Sequence, residues 1–126
     1  MGMVTVQGAV IKCSHSGQLK LMTGDARLAV AGNGAVTSGM EAGLTFGSPD
    51  TPVPGMVSPC TAQTPTTPPK FVPCVTSPAL PAGLATKLTV GGQPVLLDSA
   101  SGTTVSGRGP GTWSVASAGQ QKLEAT

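Results

Sequence analysis

The stretch KLTVGGQPVLLDSASG, Lys87 to Gly102, alternates aliphatic and small residues with a period of two before and after a glycine pair. Alternation of that kind is the signature of a half-buried strand. Leu88-Thr89-Val90-Gly91-Gly92 has counterparts in Leu28-Ala29-Val30-Ala31-Gly32 and in Val4-Thr5-Val6-Gln7-Gly8, each reading aliphatic, small, Val, any residue, Gly. The first two continue alike, with an amide at Asn33 and Gln93, a turn former at Gly34 and Pro94, and then small aliphatic residues. We read this as an internal duplication, with a weaker copy at Trp113-Ser114-Val115-Ala116-Ser117. Gly, Pro, Thr, Ser and Val interrupt every window long enough for a helix. Only SAGQQKLEA, near the C-terminus, is read as a short helical turn or a frayed end. The expectation is an all-β chain of short strands and hairpins.

Composition bounds the rest. A chain of 126 residues fits one domain spanning 1–126. Only 2% of residues are aromatic, so the core must be assembled from small aliphatic groups, each burying modest area. Such a core gains from a staple. Eighteen Gly and twelve Pro call for many turns, while 39% hydrophobic residues argue against disorder. The net charge of +2 comes from dispersed side chains that form no basic stripe, and three aromatic residues offer few stacking platforms, so nucleic acid is not an expected partner. The first dozen residues lack the pattern of a secretory signal, and no run approaches a membrane span. The chain is therefore expected to be made in the cytoplasm.

Cys13, His15, Cys60 and Cys74 are all the cysteine and histidine present. Three thiolates and one imidazole form a common closed shell for zinc, with iron as second choice. In an extended strand Cys13 and His15 would share a face. Cys60 and Cys74 each follow a proline, in SPC and VPC, and bracket the tract Thr64 to Pro69, so both thiols are expected to be held in a loop. Buried thiols acting as small hydrophobes, or a Cys60–Cys74 disulfide, are the competing readings. Catalytic readings lack parts. A Cys13 and His15 nucleophile pair has no orienting partner. GRGPGTW, Gly107 to Trp113, lacks the Lys and Ser or Thr of a phosphate loop and reads as a turn. Asp25, Glu41, Asp50, Asp98 and Glu124 stand singly and read as solvated. No enzyme activity is expected.

VQGAVIKCSHSG followed by a hairpin, and the later KLTVGGQPVLLDSASG, resemble the proline-alanine-alanine-arginine repeat (PAAR) and PAAR-like proteins, which tip contractile injection machines. The resemblance spans most of the chain. It implies a small all-β cone whose base sits on a trimeric β-helical spike and whose pointed vertex is closed by one metal ion. Carried onto this sequence, the ligands are Cys13, His15, Cys60 and Cys74. GGQPVLLDSA falls where the family writes its signature, with Pro94 retained and without the following Ala-Ala-Arg. That departure and the cysteine-rich ligand set favour the PAAR-like branch of phage-like and extracellular systems over type VI secretion. The implied role is a structural spike tip for piercing a membrane that it touches only transiently, released within an injection particle, with any effector cargo carried separately. The alternative is a stand-alone metal-binding or thiol redox domain.

Overall fold

The computed structural model describes residues 2–30, 32–50, 52–66, 68–80, 83–106, 109–120 and 123–125. The chain is all-β, as the alternation requires, and no α-helix occurs among the described residues. Among the described residues, no helix is long and apolar enough to cross a membrane. Twelve strands are named: β1 (Gly2–Met3), β2 (Val10–Cys13), β3 (Gln18–Lys20), β4 (Asp25–Val30), β5 (Asn33–Ala35), β6 (Met56–Ser58), β7 (Val75–Thr76), β8 (Leu84–Val90), β9 (Gln93–Leu96), β10 (Ser101–Ser106), β11 (Gly109–Ser117) and β12 (Glu124–Ala125).

Six of them build one antiparallel sheet in the order β6-β3-β2-β11-β10-β7. Register breaks between Val115 and Ser117 on β11 and between Gln18 and Leu19 on β3 interrupt its ladders. Such irregularities bend a sheet and increase its twist, and this one curls into a half-barrel. Ile11, Leu19, Phe46, Leu96 and Trp113 fill the interior together with the three cysteines. Trp113, on a central strand, is fully buried and satisfies its indole N–H on the Ser77 carbonyl at 2.9 Å. The chain thus hides its one large polar-tipped ring at the centre of a core otherwise made of small groups.

The duplicated segments form matching hairpins. Val30 pairs with Asn33 and Ala29 with Gly34 in β4–β5, while Val90 pairs with Gln93 and Thr89 with Pro94 in β8–β9. Each first strand carries a register break, between Asp25 and Ala29 and between Leu84 and Thr89. Gly91 and Gly92 both have positive φ, 61° and 84°, which is the backbone of a two-residue type I′ turn and explains the glycine pair.

A third hairpin-like pair joins strands from the first and last parts of the sequence. β1 runs antiparallel to β12, Gly2 opposite Ala125 and Met3 opposite Glu124. Leu28, Leu88 and Leu123 occupy corresponding places, each half-buried against one apolar cluster of Val4, Val6, Val30, Ala35, Ala85, Val90, Val95 and Leu97. The return strands then meet around an approximate three-fold axis. Val6 bridges Ala35, Thr37 bridges Val95, and Leu97 bridges Val4, so the last residue of each three-residue segment faces the first of the next. At the centre, Thr5 N–H donates to the Leu96 carbonyl, Leu96 N–H to the Val36 carbonyl and Val36 N–H to the Thr5 carbonyl, all at 2.8 Å. The ring also divides the interior: Val36 and Leu96 pack into the cysteine-containing core, and Ala35 and Val95 into the other.

Four sequence readings are corrected by this arrangement. Trp113–Ser117 is no hairpin repeat but the middle of the six-stranded sheet, since its bulk suits a core and not a turn. Val4–Val6 corresponds to the return segments Ala35–Thr37 and Val95–Leu97, not to Leu28–Val30, because its bridges place it in the ring with them while β12 pairs with β1 as the opposite strand. The C-terminal segment contributes β12 in place of a helical turn, held by pairing with β1. In GRGPGTW, Gly109–Trp113 is strand, and Gly107 and Arg108 lie outside the described residues.

Candidate metal centre

The curled sheet leaves its two edge strands, β6 and β7, to be joined, and the proline-rich segment joins them. Cys60 follows β6 and Cys74 precedes β7. Between them the chain forms a regular hairpin: Val72 N–H donates to the Ala62 carbonyl, Gln63 bridges Phe71, and Thr64 N–H donates to the Lys70 carbonyl. Cys60 and Cys74 are therefore opposite one another at the stem of an ordered finger, not in a slack loop. At the stem the ladder opens to admit Phe46 and Gly47, with Cys60 N–H donating to the Gly47 carbonyl and Phe46 N–H to the Cys74 carbonyl, both at 3.0 Å. Proline at positions 59 and 73 removes donors that this opened ladder does not need.

Cys13 comes from the end of β2, opposite Trp113 on β11. The turn that follows is not an extended strand: Ser16 has φ 71°, and Cys13 N–H donates to the Gly17 carbonyl at 2.9 Å. The expectation that Cys13 and His15 share a strand face is thus corrected. Gly17 is required by crowding, since a Cβ there would stand 2.8 Å from Cys13 Sγ and 3.0 Å from Cys60 Cβ. His15 is tied to the finger through its carbonyl, which accepts from Thr61 N–H at 3.0 Å and from the Thr61 hydroxyl at 2.9 Å.

One thiol from each edge of the sheet and one from its middle consequently converge. Cys13 Sγ lies 3.6 Å from Cys60 Sγ, and Cys60 Sγ lies 3.4 Å from Cys74 Sγ. All three are buried, unbonded to one another and mutually within 4.8 Å. A disulfide would need sulfurs about 2.05 Å apart. Sulfurs sharing a tetrahedral ion at about 2.3 Å stand about 3.8 Å apart. The triangle therefore matches a metal-binding arrangement more closely than a disulfide, and the three cysteines can hold a metal ion. His15 stands at one side of it, half-buried, with Nδ1 3.2 Å from Cys74 Sγ. The group of mutually close donors comprises the three thiols without His15.

Burial sets the resting state of the thiols. Desolvation raises the Cys13 pKa above its ordinary value, and burial, helped by the Cys60 thiol beside it, pushes Cys74 up to about 12. Without an ion these groups are neutral thiols at pH 7 and poor nucleophiles. A cation reverses the balance, because ligation favours the thiolate. Two N–H donors already face sulfur: Gly17 N–H to Cys13 Sγ at 3.2 Å and Cys74 N–H to Cys60 Sγ at 3.4 Å.

The acids are dispersed, as expected, but Glu41 is not solvated. It is fully buried, and its carboxylate accepts from Gly39 N–H at 2.8 Å and from Ala79 N–H at 2.9 Å. It pins two loops together, a role that a lone acid in a Gly-rich run does not advertise. Comparison with family models, curated proteins and solved structures found no match to this chain.

Proposed function

We propose that this chain is a structural spike tip that caps a trimeric β-helical spike of a contractile injection system, with one metal ion closing the end away from the spike. The observation that carries the reading is the approximate three-fold ring of Val4–Val6, Ala35–Thr37 and Val95–Leu97. A single chain that must sit on three identical chains gains from presenting three similar edges, because each spike subunit can then make a similar contact. Leu28, Leu88 and Leu123, half-buried at corresponding positions of the three hairpins, supply the apolar contact. The sequence resemblance to PAAR-like proteins supports the same reading.

The cysteine triangle supports the second half. The proposed ligands are Cys13, Cys60 and Cys74, with His15 as the fourth donor after a small movement of its ring from its place beside Cys74. Zinc suits this donor set best and iron next. Ordering the finger costs on the order of 1–2 kcal/mol per residue, and structural zinc returns about 10 kcal/mol or more. A four-coordinate site leaves no position for substrate, so the tip performs no turnover. The alternative of a thiol redox domain is disfavoured by burial, which hides all three thiols and keeps Cys13 and Cys74 protonated.

The test is assembly. Untagged chain mixed with a trimeric β-helical spike protein from the same genome should give one chain per three spike subunits by native mass spectrometry. Leu88→Asp should abolish the complex while leaving the metal content unchanged. A stable homotrimer of this chain alone, or no complex with the spike, would overturn the reading.

A further inference from the structure

Thiolates bound to a metal carry more charge than the ion neutralises, and N–H or O–H donors to sulfur offset the excess and orient the ligand. Cys13 has Gly17 N–H, and Cys60 has Cys74 N–H. Beside Cys74 stand His15 Nδ1, which the proposed ligation takes up, and a second side chain, the hydroxyl of Thr104 on β10. Thr104 is fully buried, and its Oγ1 has no hydrogen-bond partner. Its cross-strand neighbour does not take up the proton: the Thr76 hydroxyl already donates to the Glu41 carbonyl and accepts from Leu44 N–H. A buried hydroxyl left unpaired is costly, and an orphan of this kind beside a candidate metal ligand calls for an explanation.

Gly111, opposite Thr104 on β11, leaves the space for it. A Cβ at Gly111 would fall 2.5 Å from Ser14 Oγ, 2.8 Å from Thr104 Oγ1 and 3.3 Å from His15 Cε1. Thr104 and two residues of the Cys13 turn therefore converge beside the triangle. We propose that Thr104 is a positioning residue of the metal centre, its hydroxyl donating a hydrogen bond to the Cys74 thiolate when an ion is held. Each sulfur then has one donor, two from the backbone and one from this side chain. The proposal rests on the reading of the three cysteines as a metal site.

Cobalt(II) loaded into the full-length, untagged chain reports on it through the thiolate-to-metal charge-transfer band and through competition with a chelator. Thr104→Val should bind one ion per chain about 10-fold more weakly or worse, the usual cost of losing such a donor. Its charge-transfer band should move to lower energy, because a thiolate without a donor holds its electrons less tightly. Thr104→Ser should restore both readings. Should the valine variant be unfolded, Thr104→Ala removes the same hydroxyl and carries the same expectation. Unchanged affinity and an unchanged band in the hydroxyl-free variant would overturn the proposal while leaving the metal site intact. Failure of the wild-type chain to bind cobalt or zinc would overturn the metal reading itself and the proposal with it.

Discussion

Thr5 occupies in the ring the place that Val36 and Leu96 occupy in the other two segments, and its buried hydroxyl, a group those two side chains lack, has no hydrogen-bond partner. Replacing it with the nearly isosteric valine removes an unsatisfied polar atom and leaves the backbone ring untouched. Thr5→Val should therefore raise stability by about 1 kcal/mol, read as a higher urea midpoint at unchanged slope. Cysteine chemistry gives the opposite case. Cys74→Ser removes a soft ligand and should lower metal content well below one ion per chain and lower the melting temperature, whereas Thr66→Ser, at an exposed position, should change neither. The pH dependence follows from the raised thiol pKa values. Cys13 and Cys74 hold their protons at neutral pH without an ion and must release them on ligation, so protons compete with the metal and affinity falls as pH falls. From these two thiols alone, zinc affinity should drop roughly 100-fold for each unit below pH 7, measurable by chelator competition. All four ligand candidates were legible in the sequence because cysteine and histidine are scarce here. Thr104 was not, because one threonine among many carries no mark of the thiol that another strand brings to it.

At the scale of elements, the finger and the hairpins are held by different forces. The finger between Cys60 and Cys74 has few apolar residues, and Thr61, Pro65, Thr66, Pro68, Pro69 and Lys70 are exposed, so its anchor is its stem. The β4–β5 and β8–β9 hairpins are held by ladders and by the apolar cluster around Val30, Val90 and Val95. Addition of a chelator to the metal-loaded protein should therefore accelerate amide exchange first at Thr64 and Val72 and last at Val36 and Leu96. Protection lost uniformly would mean that the ion does not act through the finger. The hairpins could be read from sequence because a glycine pair and period-two alternation are local signals. The finger reads only as a proline-rich loop, since its register depends on the two edges of the sheet to which its ends are fixed. Trp113 misled for a related reason: a weak likeness to the repeats could not outweigh the room that a curled sheet has for a large ring.

At the scale of the whole molecule, two layers share one chain: a three-hairpin end with approximate three-fold order, and a half-barrel whose open edges are gathered at the cysteines. The three-fold end is closed by the pairing of β1 with β12. Deleting Leu123 to Thr126 removes β12 and one leucine, and should destabilise the chain and abolish spike binding with metal uptake retained, as checked by melting, native mass spectrometry and metal analysis. Loss of metal together with binding would show that the two layers fold as one unit. The sequence by itself determined the strand class, the two glycine-turned hairpins and the complete set of ligand candidates, because alternation, turn residues and rare side chains are properties of neighbours along the chain. Only the tertiary structure decided that Val4–Val6 closes a ring with segments about 30 and 90 residues away, that β1 pairs with β12, and that the edges of one sheet bring three thiols within reach of one ion. Those contacts join residues far apart in sequence, and their geometry is set by the curl of the sheet and the meeting of backbone groups, neither of which leaves a local pattern.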